Sequence, residues 1–399
     1  MAEARALPPI WLMGMSYLPF GIFGGIMLIA VPQLLAGAHV PEPQIAAITA
    51  TGLMPGFIAF PFGPLLDWRF SRRTYAVIFA GLQVLCLIGA LQSLGNLPLL
   101  TALLFAGNLT GNLYYNAIGG WFGNLVSTEQ KGPIGAWLTV GNIGGGGVIV
   151  SVAAALMHGL PSPLGALAIG LIAAAPIPFF LLIHCPPADG RLAHEGFRDL
   201  ARDLGRLLRQ NTVLWTLLLF LAPAASFALT NALGGFGSDF HTSERIVSLL
   251  GGAGLVVAGV FGSLMVPVLS KRVRPRPLYL MVGGFGALFT LVLMVTPHIP
   301  ATFGLAMLGE NVFQSAAFAA ESMIILRTIG RDNPLAATQF GLLNAATSLP
   351  LTYMQYLDGQ GYGAAGVNGS LLADALISGS AVLLLAAVFW VWRKRIPAI

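Results

Sequence analysis

Three carboxylates interrupt long apolar stretches of the 399-residue chain: Glu310, Glu321 and Asp374. Charge inside hydrocarbon is costly and, where it occurs, usually functional. No Lys or Arg is expected at the depth of Glu310. A carboxyl taken out of water without a cation beside it favours its neutral form, and such a group is suited to taking up and releasing a proton. The other reading is a protonated structural Glu hydrogen-bonded to a neighbouring helix. Glu321 follows on nearly the same helical face, about 16 Å along the axis. It is the second proton-coupling candidate, although Arg327 is its expected ion-pair partner near the inner end of the helix. Asp374 reads as an interface residue.

Neutral polar side chains form a second pattern. Asn108, Asn112 and Tyr115 recur at i, i+4 and i+7, which puts them on one helical face, with Asn116 at its border. Asn311, Gln314 and Ser315 gather beside Glu310. Gln339, Asn344 and Ser348 share another run, Thr230 and Asn231 a third, and Gln33 lies in the first. Such residues could line a cavity for a polar solute, or bind helices to one another, since buried amides need partners. The run Gly144–Gly147 lacks the Lys-Ser/Thr of a phosphate loop and suits close helix packing. The 6 His and 2 Cys residues show no metal-ligand spacing, and no cofactor motif is present.

These residues need a membrane to position them. The chain is 56% hydrophobic and 9% charged, with mean hydropathy +0.81, whereas a soluble domain carries roughly 25% charged residues. Apolar runs predict twelve spans: 10–37, 43–66, 74–94, 98–125, 132–158, 163–184, 212–236, 243–269, 278–296, 299–326, 335–356 and 368–392. With the N-terminus in the cytosol, all but Arg245 of the 20 Lys and Arg residues fall on the inner side. This is the positive-inside asymmetry. It predicts a multi-pass protein of the bacterial inner membrane with both termini cytoplasmic. It also assigns the basic pI near 9.5 to contact with anionic membrane lipid rather than nucleic acid.

The expected organisation is a six-helix bundle over 1–184, a cytoplasmic linker over 185–211 and a second six-helix bundle over 212–399. The linker places Phe197, Leu200, Leu204, Leu207 and Leu208 on one helical face and Arg198, Arg202, Arg206 and Arg209 on the other, an amphipathic surface helix. Internal matches suggest duplication. Pro64-Leu-Leu-Asp67 parallels Pro267-Val-Leu-Ser270, Asn108 parallels Asn311, and Gly132-Pro-Ile-Gly-Ala136 parallels Asn333-Pro-Leu-Ala-Ala337. Parallel repeats of this kind put a substrate site near the midplane.

Gly63-Pro-Leu-Leu-Asp67-Trp-Arg69-Phe-Ser-Arg72-Arg73 resembles the signature loop of the major facilitator superfamily, with one extra residue before the basic pair and Ser71 where Gly is usual. The resemblance implies an all-α membrane fold of two pseudo-symmetric bundles. It assigns Asp67, Arg72 and Arg73 to bracing a cytoplasmic gate against helix 11. Leu18-Pro-Phe-Gly21, Pro32-Gln-Leu34 and Thr110-Gly-Asn112-Leu-Tyr-Tyr-Asn116-Ala look like the branch of muropeptide permeases (AmpG), acetyl-CoA transporters and siderophore permeases of the rhizobactin and pyochelin type (RhtX, FptX). Where that branch has two acids in helix 4, this chain has Asn112 and Asn116.

The expected activity is therefore secondary transport, by alternating access and coupled to protons, of a polar or amphiphilic small-molecule substrate. That class includes a muropeptide, a siderophore, an acyl-CoA-like or a drug-like solute. No enzyme is expected, and the fold usually works as a monomer. The competing readings are a transporter-shaped assembly or signalling protein without flux and, less well supported by the scattered histidines, a membrane-embedded transferase.

Overall fold

The computed structural model describes residues 7–185, 202, 205–330, 333–395 and 397. Every regular element among them is helical. Eight helices among the described residues are long and apolar enough to cross a bilayer, or nine if the bent pair Pro43–Ile58 and Phe60–Asp67 is one span.

In chain order, α1 is Ile10–Gly37 and α2 is that bent pair, with a 40° bend. Next come α3, Arg72–Gln92; α4, Leu97–Leu125; and α5, Lys131–Gly159. α6 is Pro163–Leu182. α7 comprises Asn211–Leu221 and the short turn Thr230–Leu233. α8 is Arg245–Leu269, α9 is Pro275–Met294 and α10 is Pro300–Ile329. The continuous helical run Ala336–Val391 has 56 residues, about 84 Å at 1.5 Å per residue and far beyond a ~30 Å hydrocarbon core. It reverses at Ala365 and Gly366, whose φ of 60° only glycine adopts freely. The chain then folds back, because a Cβ on Gly369 would lie 3.0 Å from that of Ala365 and a Cβ on Gly361 would lie 3.1 Å from that of Ala373. The two arms are α11 (336–364) and α12 (367–391).

Local chemistry sets the helix starts. Ser71 accepts from the Thr74 N–H at the head of α3, and Asn96 from the Leu99 N–H at the head of α4, each supplying an acceptor to a first-turn N–H. Proline stands in the first turn of α4 and α9, where its missing N–H costs nothing.

The span expected over 212–236 is broken. Ala222 is extended (ψ 145°), and Phe227 is left-handed (φ 48°). Pro223 cannot donate a helical hydrogen bond, and its ring disfavours helical backbone at the residue before it. The unwound stretch is buried, with Ala224, Ala228 and Leu229 at 0% exposure. Irregular backbone at membrane depth survives only where protein satisfies it.

Contacts divide the chain into two units. The first comprises Met1–Ser127, Val140–Asp203 and Ile329–Ala345; the second comprises Thr128–Thr139, Leu204–Thr328 and Ala346–Ile399. The start of α5 thus groups with the second unit and the start of α11 with the first. Most of the amphipathic linker, including Phe197, Arg198, Leu200 and Leu204, lies outside the described residues.

Candidate functional site

In the first unit, the chain around Asp67 binds the head of α11. The Asp67 carboxylate accepts from the Ala337 N–H (3.1 Å), the Thr338 N–H (2.8 Å) and the Thr338 hydroxyl (2.8 Å). Free N–H groups and the positive end of the helix dipole favour an anion there. Arg72 pairs with Asp67 at 2.8 Å and donates to the Asn333 and Pro334 carbonyls (3.2 and 2.9 Å). Asn124, at the end of α4, donates to the Asn333 carbonyl (2.9 Å) and accepts from the Asn333 N–H (3.3 Å). The Asn333 side chain donates to Gln339. Gln339, expected in the cavity set, therefore sits in this latch, while Arg73 is half-buried with no ion pair among the described residues. Asn124 and Asn333 were not singled out from the sequence, since neither belongs to a helical stripe.

The expected α4 stripe is buried, with Asn108 and Asn112 at 5% exposure and Asn116 at 2%. Asn108 donates to the Gly52 carbonyl of α2 (2.7 Å), and Asn112 donates back to the Asn108 carbonyl and side-chain oxygen (2.9 and 3.1 Å). Asn108 thus ties α4 to α2, while Asn112 spends its donor within α4. The Asn116 carbonyl oxygen has no partner. Beside it, Tyr115 stacks on Tyr17 at 3.9 Å between ring centroids and meets Phe340 edge-on at 4.9 Å, with Phe20 at 5.7 Å. The rings and an unsatisfied amide make a surface suited to the flat face and hydroxyls of an organic solute. Gln83 of α3 lies against Gly111, 1% exposed, with both amide atoms unpartnered; its one sequence signal is a lone amide in an apolar run. Asn344 is half-buried, whereas Gln33 is exposed in the last turns of α1, away from these groups.

In the second unit, Glu310 is fully buried and its Oε1 lies 2.6 Å from the Thr290 hydroxyl of α9. That hydroxyl also lies 3.1 Å from the Gly286 carbonyl. A threonine hydroxyl has one hydrogen, so the Thr290 hydroxyl divides its donation between the Gly286 carbonyl and the Glu310 carboxyl. The second Glu310 oxygen has no partner. Asp374 on α12 and Asp358 on α11 belong to the electrostatic surroundings of Glu310; they are 3% and 1% exposed. Ser370 and Ser378 flank Asp374 one turn either side on α12, both buried with unpartnered hydroxyls. Asp374, expected at the membrane interface, is thus buried between helices, and Asp358 joins it unforeseen.

Glu321, 7% exposed, accepts from the Tyr279 hydroxyl (3.2 Å). This corrects the expected pairing with Arg327. Six residues along a helix rotate a side chain by roughly 240°, which leaves the two about 120° apart and off a common face. Gln314 donates to the Phe227 carbonyl (3.2 Å) and to the Thr230 hydroxyl, and so satisfies the unwound part of α7. Asn311 donates to the Met307 carbonyl (2.7 Å) within its own helix, and Asn231 is exposed. Lys131, 2% exposed, donates to the Leu326 carbonyl at the end of α10 (2.7 Å).

The profile of the Major Facilitator Superfamily matches residues 13–354. The chain belongs to this superfamily. Solved major facilitator structures share its fold. A bacterial homologue of the iron transporter ferroportin has 15% identity and a TM-score of 0.67, with 97% of this chain and 100% of that one covered. The Escherichia coli fucose:proton symporter FucP has 15% identity and a TM-score of 0.68, covering 95% and 98%. The proton:xylose symporter XylE has 14% identity and a TM-score of 0.67, covering 98% and 95%. No curated protein matches by sequence. This major facilitator chain is accordingly a multi-pass membrane protein and a secondary transporter, not an enzyme.

Proposed function

We propose that the chain is a proton-coupled carrier that moves a polar or amphiphilic organic solute across the bacterial inner membrane by alternating access. Glu310 carries the reading. It is wholly buried, it accepts from the Thr290 hydroxyl, its second oxygen has no partner, and no cation is bonded to it among the described residues. Glu321, capped by Tyr279, is the second proton-handling group. The solute meets Tyr17, Tyr115, Asn116 and Phe340, with Gln83 close behind. The similarity to fucose and xylose symporters, both named for proton coupling, and the ring-lined surface favour a solute with sugar-like or planar rings. The muropeptide-permease branch is the finer assignment, with Asn112 and Asn116 excluding proton chemistry at helix 4. The Asp67–Arg72 latch on α11 serves as the cytoplasmic gate, and both termini face the cytosol in a monomeric carrier.

The test is uptake of candidate muropeptides, sugars and chelates by intact cells and inverted vesicles, with and without an imposed pH gradient. Gradient-driven flux is expected, and Glu310→Gln should abolish it while sparing solute exchange at equal pH. Gradient-driven flux that survives in Glu310→Gln would remove Glu310 from the mechanism.

A further inference from the structure

Away from the buried acids, α9 and α12 of the second unit enclose a groove of about 920 Å³. Its walls are apolar and outward-facing: Phe285, Leu288, Leu383 and Trp390 are between 55% and 73% exposed. The two helices touch at its floor, where a Cβ on Gly379 would meet that of Ala287 at 3.7 Å and one on Gly284 would meet Val382 at 3.5 Å. From Arg274 to Leu291 the groove follows α9 for roughly 25 Å, longer than the ~15 Å of one leaflet's hydrocarbon.

One end of this apolar channel is strongly basic. Arg274, Arg276 and Arg393 all line it, and among the described residues none of the three has a carboxylate partner. Arg276 is 6% exposed. It donates to the Pro397 carbonyl (2.7 Å) and the Thr216 hydroxyl (3.4 Å), while its Nε–H is buried with no acceptor. A guanidinium stays charged, so a buried one facing neutral acceptors and an orphaned donor lacks an anion. Planar, forked donors suit a phosphate, and the groove beyond them suits a hydrocarbon chain. Bulk lipid explains the apolar walls, and positive-inside placement explains the two exposed arginines; neither explains the nearly buried Arg276 with its orphaned Nε–H beside them.

We propose that this groove is a specific binding site for an anionic phospholipid of the surrounding bilayer, with its phosphate on Arg274, Arg276 and Arg393 and one acyl chain lying between α9 and α12. The proposal is independent of proton coupling and needs only the membrane-embedded fold.

Native mass spectrometry of the full-length protein in detergent tests it, with phosphatidylglycerol and phosphatidylcholine of identical acyl chains offered in turn. The wild type should retain one phosphatidylglycerol roughly tenfold better than phosphatidylcholine. The double variant R274Q/R393Q changes two exposed side chains and should lose that preference with its melting temperature intact. Gly379→Leu fills the channel without altering charge and should displace the lipid; Ser380→Trp serves the same purpose if the first variant fails to fold. Equal retention of the two lipids overturns the proposal, as does full retention in R274Q/R393Q. Retention that depends on the arginines but survives both groove-filling variants shows diffuse surface charge and also overturns it. So does a wild-type dimer that the groove-filling variants separate.

Discussion

The Asp67 carboxylate holds Thr338 by both its backbone N–H and its hydroxyl, each at 2.8 Å. One buried side chain at the end of α2 thereby supplies the N-terminal acceptor that α11 lacks in its own sequence. Lys131 makes the converse contact in the second unit, donating its ammonium to a carbonyl in the last turn of α10. Each charge sits at the helix end whose dipole it complements.

Asp67→Ala should be among the most damaging single changes. It frees Arg72, uncovers two N–H groups and removes a side chain that is 0% exposed. Breaking a buried pair by removing one partner typically costs ~3–5 kcal/mol. Because Arg72 keeps partial solvent contact and two backbone acceptors, a loss near the lower end of that range, about 3 kcal/mol, is expected. Thermal unfolding of the purified carrier in detergent measures it; a drop under ~1 kcal/mol would show that α11 starts without this cap.

Gln314→Met keeps the volume and removes both donors to the unwound part of α7. The Phe227 carbonyl would lose one of its donors but keep the Thr230 hydroxyl (2.7 Å) and N–H (3.2 Å), so the cost is that of a lost hydrogen bond, ~0.5–1.5 kcal/mol. Proteolysis and hydrogen exchange across residues 222–229 should accelerate while α9 is unaffected. Equal protection in variant and wild type would mean the segment is held by packing alone.

Asp358→Asn should be neutral or stabilising. Both carboxyl oxygens are buried without partners, so an amide of the same shape breaks no hydrogen bond. A melting temperature lowered by several degrees would reveal a partner for that carboxylate.

Two glycines on α1 separate packing from mere helix composition. A Cβ on Gly21 would collide with the Asn142 backbone of α5, whereas one on Gly24 meets nothing within 4 Å. Gly21→Val should abolish monodisperse protein in size-exclusion chromatography, and Gly24→Val should leave the elution profile unchanged. Matching profiles for the two would contradict the α1–α5 contact.

Much was already determined by the linear sequence. A lipid environment forces each crossing segment to satisfy its own backbone, so hydropathy and charge marked the spans, including the division of 336–391 into two arms. Helical periodicity placed Asn108, Asn112 and Tyr115 on one face, and the two acids of α10 pointed to Glu310 and Glu321. Tertiary structure alone decided the partners. Asn124 meets Asn333, and Asp67 meets Thr338, across separations of 209 and 271 residues, where local periodicity carries no information. The acids Asp358 and Asp374 became neighbours only when α11 doubled back on α12. The break in α7 depended on Gln314 arriving from α10, since unwound backbone in a membrane persists only where another element completes its hydrogen bonds.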